Sequence, residues 1–278
     1  MADLLIHSMN EFSEIIGAAI DVAAPRRIVE IGAEFGGTTP FLARKAESAG
    51  GELVSIDPAP KQAFLDWCAE HPEVRHIAQP SLAVIDQMAD VDAWVIDGDH
   101  NWFTVYHELK AIEALCHRDA KPLLVFLHDV CWPCGRRDSY YAPAQIPTEH
   151  RQPYDYDGGV KPGNPYLIPH RGFRGMGQFA WAAFEGGEKN GVKTAVEDFA
   201  AEATEAGRML AYAEVPAVFG LGVLFDLDAP WGPEMASTLA PWHENKLLAT
   251  LERNRLDNYL TVLDWQDNAA GAAATRAA

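Results

Sequence analysis

Val95-Ile96-Asp97-Gly98-Asp99-His100 reads as a buried strand that runs out into a turn carrying two carboxylates and an imidazole. Downstream, Leu123-Leu124-Val125-Phe126-Leu127-His128-Asp129 repeats the design, an apolar run of strand length that stops on a His-Asp pair. Continuous apolar runs of this length fit strands buried on both faces of a parallel sheet. In such a sheet ligands gather outside the carboxyl ends of the strands, so two neighbouring strands ending this way point their polar groups into one crevice. The chemistry is expected there.

Upstream, Arg26-Arg27-Ile28-Val29-Glu30-Ile31 reads as the first buried strand, Gly32-Ala33-Glu34-Phe35-Gly36-Gly37-Thr38 as a glycine-rich turn, and Thr39 to Ser48 as a helix. That succession favours a nucleoside or an anion, since a helix N-terminus offers free N–H groups and glycine lets a ligand approach the backbone. A dinucleotide fingerprint needs a third small residue at 34, where the chain has Glu34. A phosphate-cradling loop ends in Gly-Lys-Ser/Thr, and no lysine is present. The second strand, Leu53-Val54-Ser55-Ile56, stops at Asp57, where an acidic side chain can accept hydrogen bonds from both ribose hydroxyls of a nucleoside. The purely structural alternative is an Asp-Pro turn closing the strand.

Composition narrows the function classes. The chain has 278 residues, enough for one large α/β domain with an insertion, and its 48% hydrophobic and 22% charged content is ordinary for a globular protein. A net charge of -18 argues against generic nucleic-acid binding. No apolar run approaches the roughly 20 residues that span a bilayer, and the start Met1-Ala2-Asp3-Leu4 lacks a basic secretory signal, so a cytoplasmic protein with no membrane contact is expected. Four cysteines, Cys68, Cys116, Cys131 and Cys134, are too few and scattered for a disulfide framework.

Taken together, Glu30-x-Gly32-x-x-x-Gly36-Gly37-Thr38, Asp57, Ile96-Asp97-Gly98-Asp99-His100 and Leu127-His128-Asp129 resemble the class I S-adenosylmethionine-dependent methyltransferases. The likeness is to a bacterial branch associated with O-methylation of natural products and sugars. It covers Arg26 to Asp129 motif by motif and continues more weakly through Trp132 to Tyr141 and Asn190 to Phe199. The resemblance implies a doubly wound, Rossmann-like, mostly parallel seven-stranded sheet closed by a C-terminal antiparallel strand pair. It also implies that Glu30, Gly32, Gly36, Thr38, Asp57, Ser81 and Asp97 line the S-adenosylmethionine site, with Asp57 on the ribose and Ser81 near the adenine. In metal-dependent members an Asp after the fourth strand and an acidic pair after the fifth commonly hold the ion. Asp97, His128 and Asp129 occupy those places, and the departure at His128 leaves the third ligand open, with magnesium expected and manganese or iron admitted.

Chemistry independent of the resemblance points the same way. Methyl transfer to a hydroxyl needs an in-line approach and help in losing a proton. A divalent cation on carboxylates gives that help, and His100, with an imidazole that titrates near neutrality, is the expected general base beside Asp97. The bland alternative is an acidic turn with a histidine bonded to a carboxylate. Asp99 is either an orienting partner of His100 or a turn residue.

The rest of the chain frames the site. A cover helix runs to residue 25, with Phe12, Ile15, Ile16, Ala19 and Ile20 on one face, and the methyltransferase domain spans 26–228. Trp102 to Cys116 is a scaffold helix. Residues 131–174 form an insertion rich in Pro, Gly, Tyr and Arg, with net charge +2 against -20 elsewhere, read as a substrate lid in which Arg136, Arg137, Tyr140 and Tyr141 face the acceptor. The alternative is that its arginines pair with Asp138, Asp155 and Asp157. Cys131-x-x-Cys134 has no second Cys-x-x-Cys to complete a zinc site. Gly175 to Glu185 and Lys193 to Ala206 are expected helical, and Met209 to Val215 with Phe219 to Phe225 form the antiparallel pair. A helical extension spans 229–267, and its leucine stripe from Leu247 to Leu263 suits its own sheet or a homodimer. Residues 268–278 are expected disordered. The expected partner is a small hydroxylated metabolite; an amine acceptor without metal, a nicotinamide-dependent oxidoreductase and a non-catalytic binding protein are the other classes.

Overall fold

The computed structural model describes residues 8–277, with side chains to residue 269. The first seven residues of the expected cover segment and Ala278 lie outside the described residues. The chain runs α1 (Ser13–Ala23), β1 (Arg27–Ile31), α2 (Thr39–Ser48), β2 (Glu52–Ile56), α3 (Gln62–Glu70), β3 (Arg75–Ile77), α4 (Ser81–Val84), β4 (Ala93–Ile96), α5 (Trp102–Asp119) and β5 (Leu124–His128). These strands and two later ones, β11 (Leu210–Val215) and β12 (Leu221–Asp226), form one sheet in the order β11-β12-β5-β4-β1-β2-β3. β12 is antiparallel to both neighbours and every other pairing is parallel. The expected doubly wound, seven-stranded architecture is therefore present.

Alternation along the strands sends side chains to two cores. Val29, Ile31, Val54, Trp94, Ile96, Val125 and Leu127 pack with Val105, Leu109 and Ile112 of α5, and with Val196 and Phe199 of α6 (Val192–Glu205). Ile28, Leu53, Val95, Leu124 and Phe126 face the other way. They meet Ile16, Ala19 and Ile20 of α1, Leu42 of α2, and Met235 and Leu239 of α7 (Gly232–Leu239). Both faces are covered, which is why these strands read as unbroken apolar runs.

Two register facts place the site. Ile31 pairs with Ile96, and Ile96 with Leu127, so β1, β4 and β5 end side by side and Asp97 stands next to the His128-Asp129 pair. Asn101 then caps α5, its side-chain oxygen accepting the Thr104 N–H at 2.9 Å, and this turns the chain sharply away after His100.

Three expectations change. Residues 131–174 are not an irregular loop: the segment between β5 and α6 holds β6 (Ser139–Tyr140), β7 (Tyr154–Asp155), the hairpin β8 (Gly158–Lys161) with β9 (Asn164–Pro169), and β10 (Ala180–Ala182), and it extends to Gly191. Gly175 to Glu185 is strand and turn instead of helix. Left-handed Met176 (φ 49) and Gly177 (φ 81) interrupt any helical path, and Ala180-Trp181-Ala182 pairs with β6 and β7. The last helix, α8 (Lys246–Ala277), continues through the segment read as a disordered tail. Leu256 and Leu260 of α8 join the chain's own core, while Leu247 and Leu251 stay exposed. No helix among the described residues is long and apolar enough to cross a membrane.

Candidate active site

The carboxyl ends of β1, β2, β4 and β5 build one face. Gly32 adopts φ +88, and a Cβ there would lie 2.1 Å from the Asp97 carbonyl oxygen. The first glycine of the turn is thus required by the close approach of β1's end to β4's end, which holds the glycine turn against the Asp97 strand end. Beneath the turn Glu30 is 1% exposed and accepts hydrogen bonds from the hydroxyls of Thr39 (2.8 Å) and Ser55 (2.6 Å). Burial outweighs those hydroxyls and pushes its carboxyl up to about 7. Glu30 therefore clamps the turn from below. Thr38 is buried at the N-cap of α2 and makes no side-chain cap bond.

Asp57 is nearly buried at the end of β2. Its Oδ2 accepts the N–H groups of Ala33 and Glu34, both at 2.9 Å, and its Oδ1 accepts that of Ala59 at 2.8 Å. The carboxylate fixes the glycine turn to the second strand, and Oδ1, with one N–H on it, keeps acceptor capacity. Ser81, after β3, donates its hydroxyl to Oε1 of Glu108 on α5, whose Oε2 is buried without a partner among the described residues. Asp99 Oδ2 accepts from Asn101 Nδ2 at 2.7 Å and from the Thr104 hydroxyl at 3.2 Å, and its Oδ1 is buried without a hydrogen bond among the described residues.

Four side chains converge beside the turn. His128 Nδ1 lies 3.0 Å from Asp97 Oδ1 and 3.0 Å from Asp129 Oδ2, while His100 Nε2 lies 3.1 Å from Asp129 Oδ2 and 3.7 Å from Asp97 Oδ1. Asp129, 1% exposed, holds a left-handed φ of 65 that turns its carboxylate back into the crevice. Burial alone lowers both imidazoles. Asp129 and Asp97 outweigh it at His100, raising that ring to about 9, and Asp97 and Asp129 do so at His128, raising it to about 10. Burial works against ionised Asp97, yet His128 and then His100 hold it well below the usual carboxylate range. Left to itself the cluster is two carboxylates neutralised by two imidazolium rings.

That balance is incomplete in hydrogen bonding. The approaches to Asp129 are close but poorly angled, and both of its carboxylate oxygens and His100 Nε2 are buried without a hydrogen bond among the described residues. One ring nitrogen carries one proton, so His128 Nδ1 cannot serve two carboxylates at 3.0 Å equally well. A cation with donors at about 2.1 Å sets neighbouring donors roughly 3.0 to 3.4 Å apart, and His128 Nδ1 lies 3.0 Å from one oxygen of each carboxylate. Asp97, His128 and Asp129 have ligating atoms within 4.8 Å of one another, as do His100, Asp129 and Cys134. The residues fit a divalent ion.

The substrate-facing residues expected on the insertion divide differently. Arg136 spans Glu197 (2.6 Å to each oxygen) and Thr194 on α6. Arg137 is 1% exposed and donates to the carbonyls of Ala182 (2.6 Å) and Pro165 (2.7 Å). Tyr140 is buried and donates to Asp138 Oδ2 at 2.6 Å. These bonds tie Arg136, Arg137 and Tyr140 into the insertion and onto α6. Tyr141 borders the cluster: it is half-exposed, edge-on to His100 with ring centres 5.7 Å apart, and against Phe179.

Two contributors escaped the sequence reading. Cys134 belongs with His100 and Asp129 instead of with Cys131, and its Cys-x-x-Cys spacing pointed elsewhere. Asp138 accepts the N–H groups of Trp102 (2.8 Å) and Gly191 (2.7 Å) at Oδ1, and the neighbouring Ser139 N–H donates to the His100 carbonyl at 2.9 Å. The insertion thereby pins the main chain on both sides of Asn101. The cover segment reaches the cluster through Phe12, whose ring meets His128 edge-on at 5.9 Å.

Residues 29–130 match the family model of a methyltransferase domain. Similar solved structures include the SAH-bound methyltransferase PaMTH1 from Podospora anserina, 16% identical over 79% of this chain and 78% of that one, TM-score 0.46. Another is the O-methyltransferase TomG from Streptomyces achromogenes, involved in tomaymycin synthesis and solved with SAM, 16% identical over 81% and 83%, TM-score 0.45. A methyltransferase from Geobacter sulfurreducens is 12% identical over 81% and 83%, TM-score 0.44. No curated protein matches the chain.

Proposed function

We propose that the chain, a class I S-adenosylmethionine-dependent methyltransferase by its domain match and sheet order, methylates a hydroxyl of a small metabolite with His100 as general base and a divalent ion on Asp97, His128 and Asp129. The observation that carries this reading is the convergence of two carboxylates and two imidazoles, with Asp129 and His100 Nε2 lacking hydrogen bonds, beside a glycine turn tied down by Asp57.

S-adenosylmethionine supplies an electrophilic methyl group. Its ribose is assigned to Asp57, its methionine part to the Gly32–Thr38 turn held by Glu30, and its adenine to the Ser81 end of β3, next to the unpartnered Glu108 Oε2. A divalent ion supplies a Lewis acid that lowers the pKa of an acceptor hydroxyl. The residues do the rest. Asp97, His128 and Asp129 would hold the ion, and His100 Nε2, beside Asp129 Oδ2 at 3.1 Å, is the atom that would take the hydroxyl proton. Tyr141 borders the crevice over His100 and shapes the acceptor side. Net atom flow is simple: the acceptor oxygen gains the methyl group, sulfur keeps the bonding pair, and the proton passes to His100.

The test separates chemistry from binding. Purified wild type, His100→Ala and Asp97→Ala are incubated with labelled S-adenosylmethionine and a panel of hydroxylated metabolites, with calorimetry of S-adenosylhomocysteine in parallel. Turnover is expected in the wild type only, with product-cofactor binding retained in both variants. Full turnover in His100→Ala refutes the base, and full turnover in excess chelator refutes the ion.

A further inference from the structure

Resting on the metal reading just given, we propose that the site takes a borderline transition ion, of the manganese, iron, cobalt or zinc class, in preference to magnesium, and that His128 is the residue that sets this preference.

Magnesium wants near-octahedral oxygen and is seldom held through nitrogen. Among the described residues the cluster's carboxylates are Asp97 and Asp129, and the donors flanking them are nitrogen on His128 and His100 and sulfur on Cys134. His128 Nδ1 lies 3.0 Å from one oxygen of each carboxylate, so an ion held by those two oxygens also meets this nitrogen.

Nor can the ring withdraw. His128 is the last residue of β5, paired with Leu221, and its ring is wedged between Phe12 (edge-on, 5.9 Å) and Phe219 (stacked, 5.9 Å). Its other nitrogen, Nε2, is buried with no hydrogen bond, so flipping the ring only moves the deficit to the other atom. A fixed imidazole flanked by two carboxylates is a donor set of borderline softness, as in the histidine-carboxylate sites of iron and zinc proteins. Asp129 cannot compensate by swinging in further oxygen, since its left-handed backbone and 1% exposure hold it in place.

The experiment measures metal binding, not turnover. Full-length protein freed of metal by chelation is titrated by calorimetry with magnesium, manganese and cobalt chlorides, and its metal content as purified is read by mass spectrometry. Manganese or cobalt is expected to bind at least roughly a hundredfold tighter than magnesium. In His128→Asp that ratio is expected to fall at least tenfold, magnesium gaining. Because that variant alters a buried position, pulsed electron paramagnetic resonance of the manganese-loaded wild type gives a second measurement, with nitrogen coupling from a directly bound imidazole expected. Magnesium binding as tightly as manganese, or no nitrogen coupling in the bound manganese, overturns the preference and leaves the metal reading standing. Failure of every one of these ions to bind overturns the metal reading itself.

Discussion

Glu108 offers the sharpest test of how burial governs this protein. It lies on α5 with no exposed surface, holds one hydrogen bond from Ser81, and has a second oxygen with no partner among the described residues. Burial outweighs the Ser81 hydroxyl and raises the carboxyl from 4.5 to about 8, so Glu108 is neutral in the fold at neutral pH. Because the folded value lies above the unfolded one, the stability gained by keeping the proton is full below pH 4.5 and drains away until pH passes 8. From pH 6 to pH 9 the unfolded carboxyl is already ionised while the folded one resists for the first two units, which costs about 3 kcal/mol at 1.36 kcal/mol per unit. Glu108→Gln keeps an acceptor for Ser81 and removes the titration. Urea unfolding followed by tryptophan fluorescence, for both proteins across that range, isolates this group, since other titrations such as Glu30 occur in both and cancel in the difference. The variant is expected to gain about 3 kcal/mol on the wild type between the two ends. A difference constant to within about 0.5 kcal/mol refutes the buried neutral carboxyl.

Further outcomes follow from single contacts. Gly32→Ala sets a Cβ against the Asp97 carbonyl at a left-handed φ and is expected to cost about 2 to 4 kcal/mol in urea unfolding; a loss below about 1 kcal/mol contradicts the close approach. Asp138→Ala strips the acceptor from the Trp102 and Gly191 N–H groups and the Tyr140 hydroxyl, and is expected to cost about 3 kcal/mol or more and to open residues 139–191 to limited proteolysis. Proteolysis at the wild-type rate counts against an anchoring role. Asp57→Ala is expected to weaken S-adenosylhomocysteine binding roughly tenfold or more by calorimetry, and unchanged affinity removes the ribose assignment. The proposed homodimer now rests on the exposed Leu247 and Leu251 of α8, and a monomer mass in light scattering at micromolar concentration ends it.

The parts legible in the sequence share a physical cause. β1, β4 and β5 are buried on both faces, so their composition announces them, and polar residues at their carboxyl ends stand out against those runs. Asp97, His100, His128 and Asp129 were found that way. α3 was not, because only Phe64 on it is buried and one contact makes no periodicity. β10 was misread because a three-residue strand carries no period, and its pairing partner, Tyr140 opposite Ala180, is distant in the chain.

The insertion shows the deeper limit. Arg136 and Arg137 read as exposed charges facing the acceptor, with pairing to Asp138 as the alternative, because a sequence shows charge without showing burial. Folding separates them into three fates. Arg136 closes on Glu197 of α6, Arg137 goes inside to saturate carbonyls of β9 and β10, and Asp138 is buried and pushed up to about 6, burial outweighing the bonds it receives from Tyr140, Gly191 and Trp102. What Asp138 binds is mostly main chain, and main-chain donors leave no mark in a sequence. Since Trp102 N–H ends on Asp138 and the His100 carbonyl is held by the N–H of Ser139, the insertion fixes the backbone that carries the proposed base. Variants that loosen the insertion should therefore lower turnover through His100 even when Tyr141 and every cofactor contact are intact, with kcat falling more than cofactor affinity; equal losses in both would place the insertion's role in binding instead.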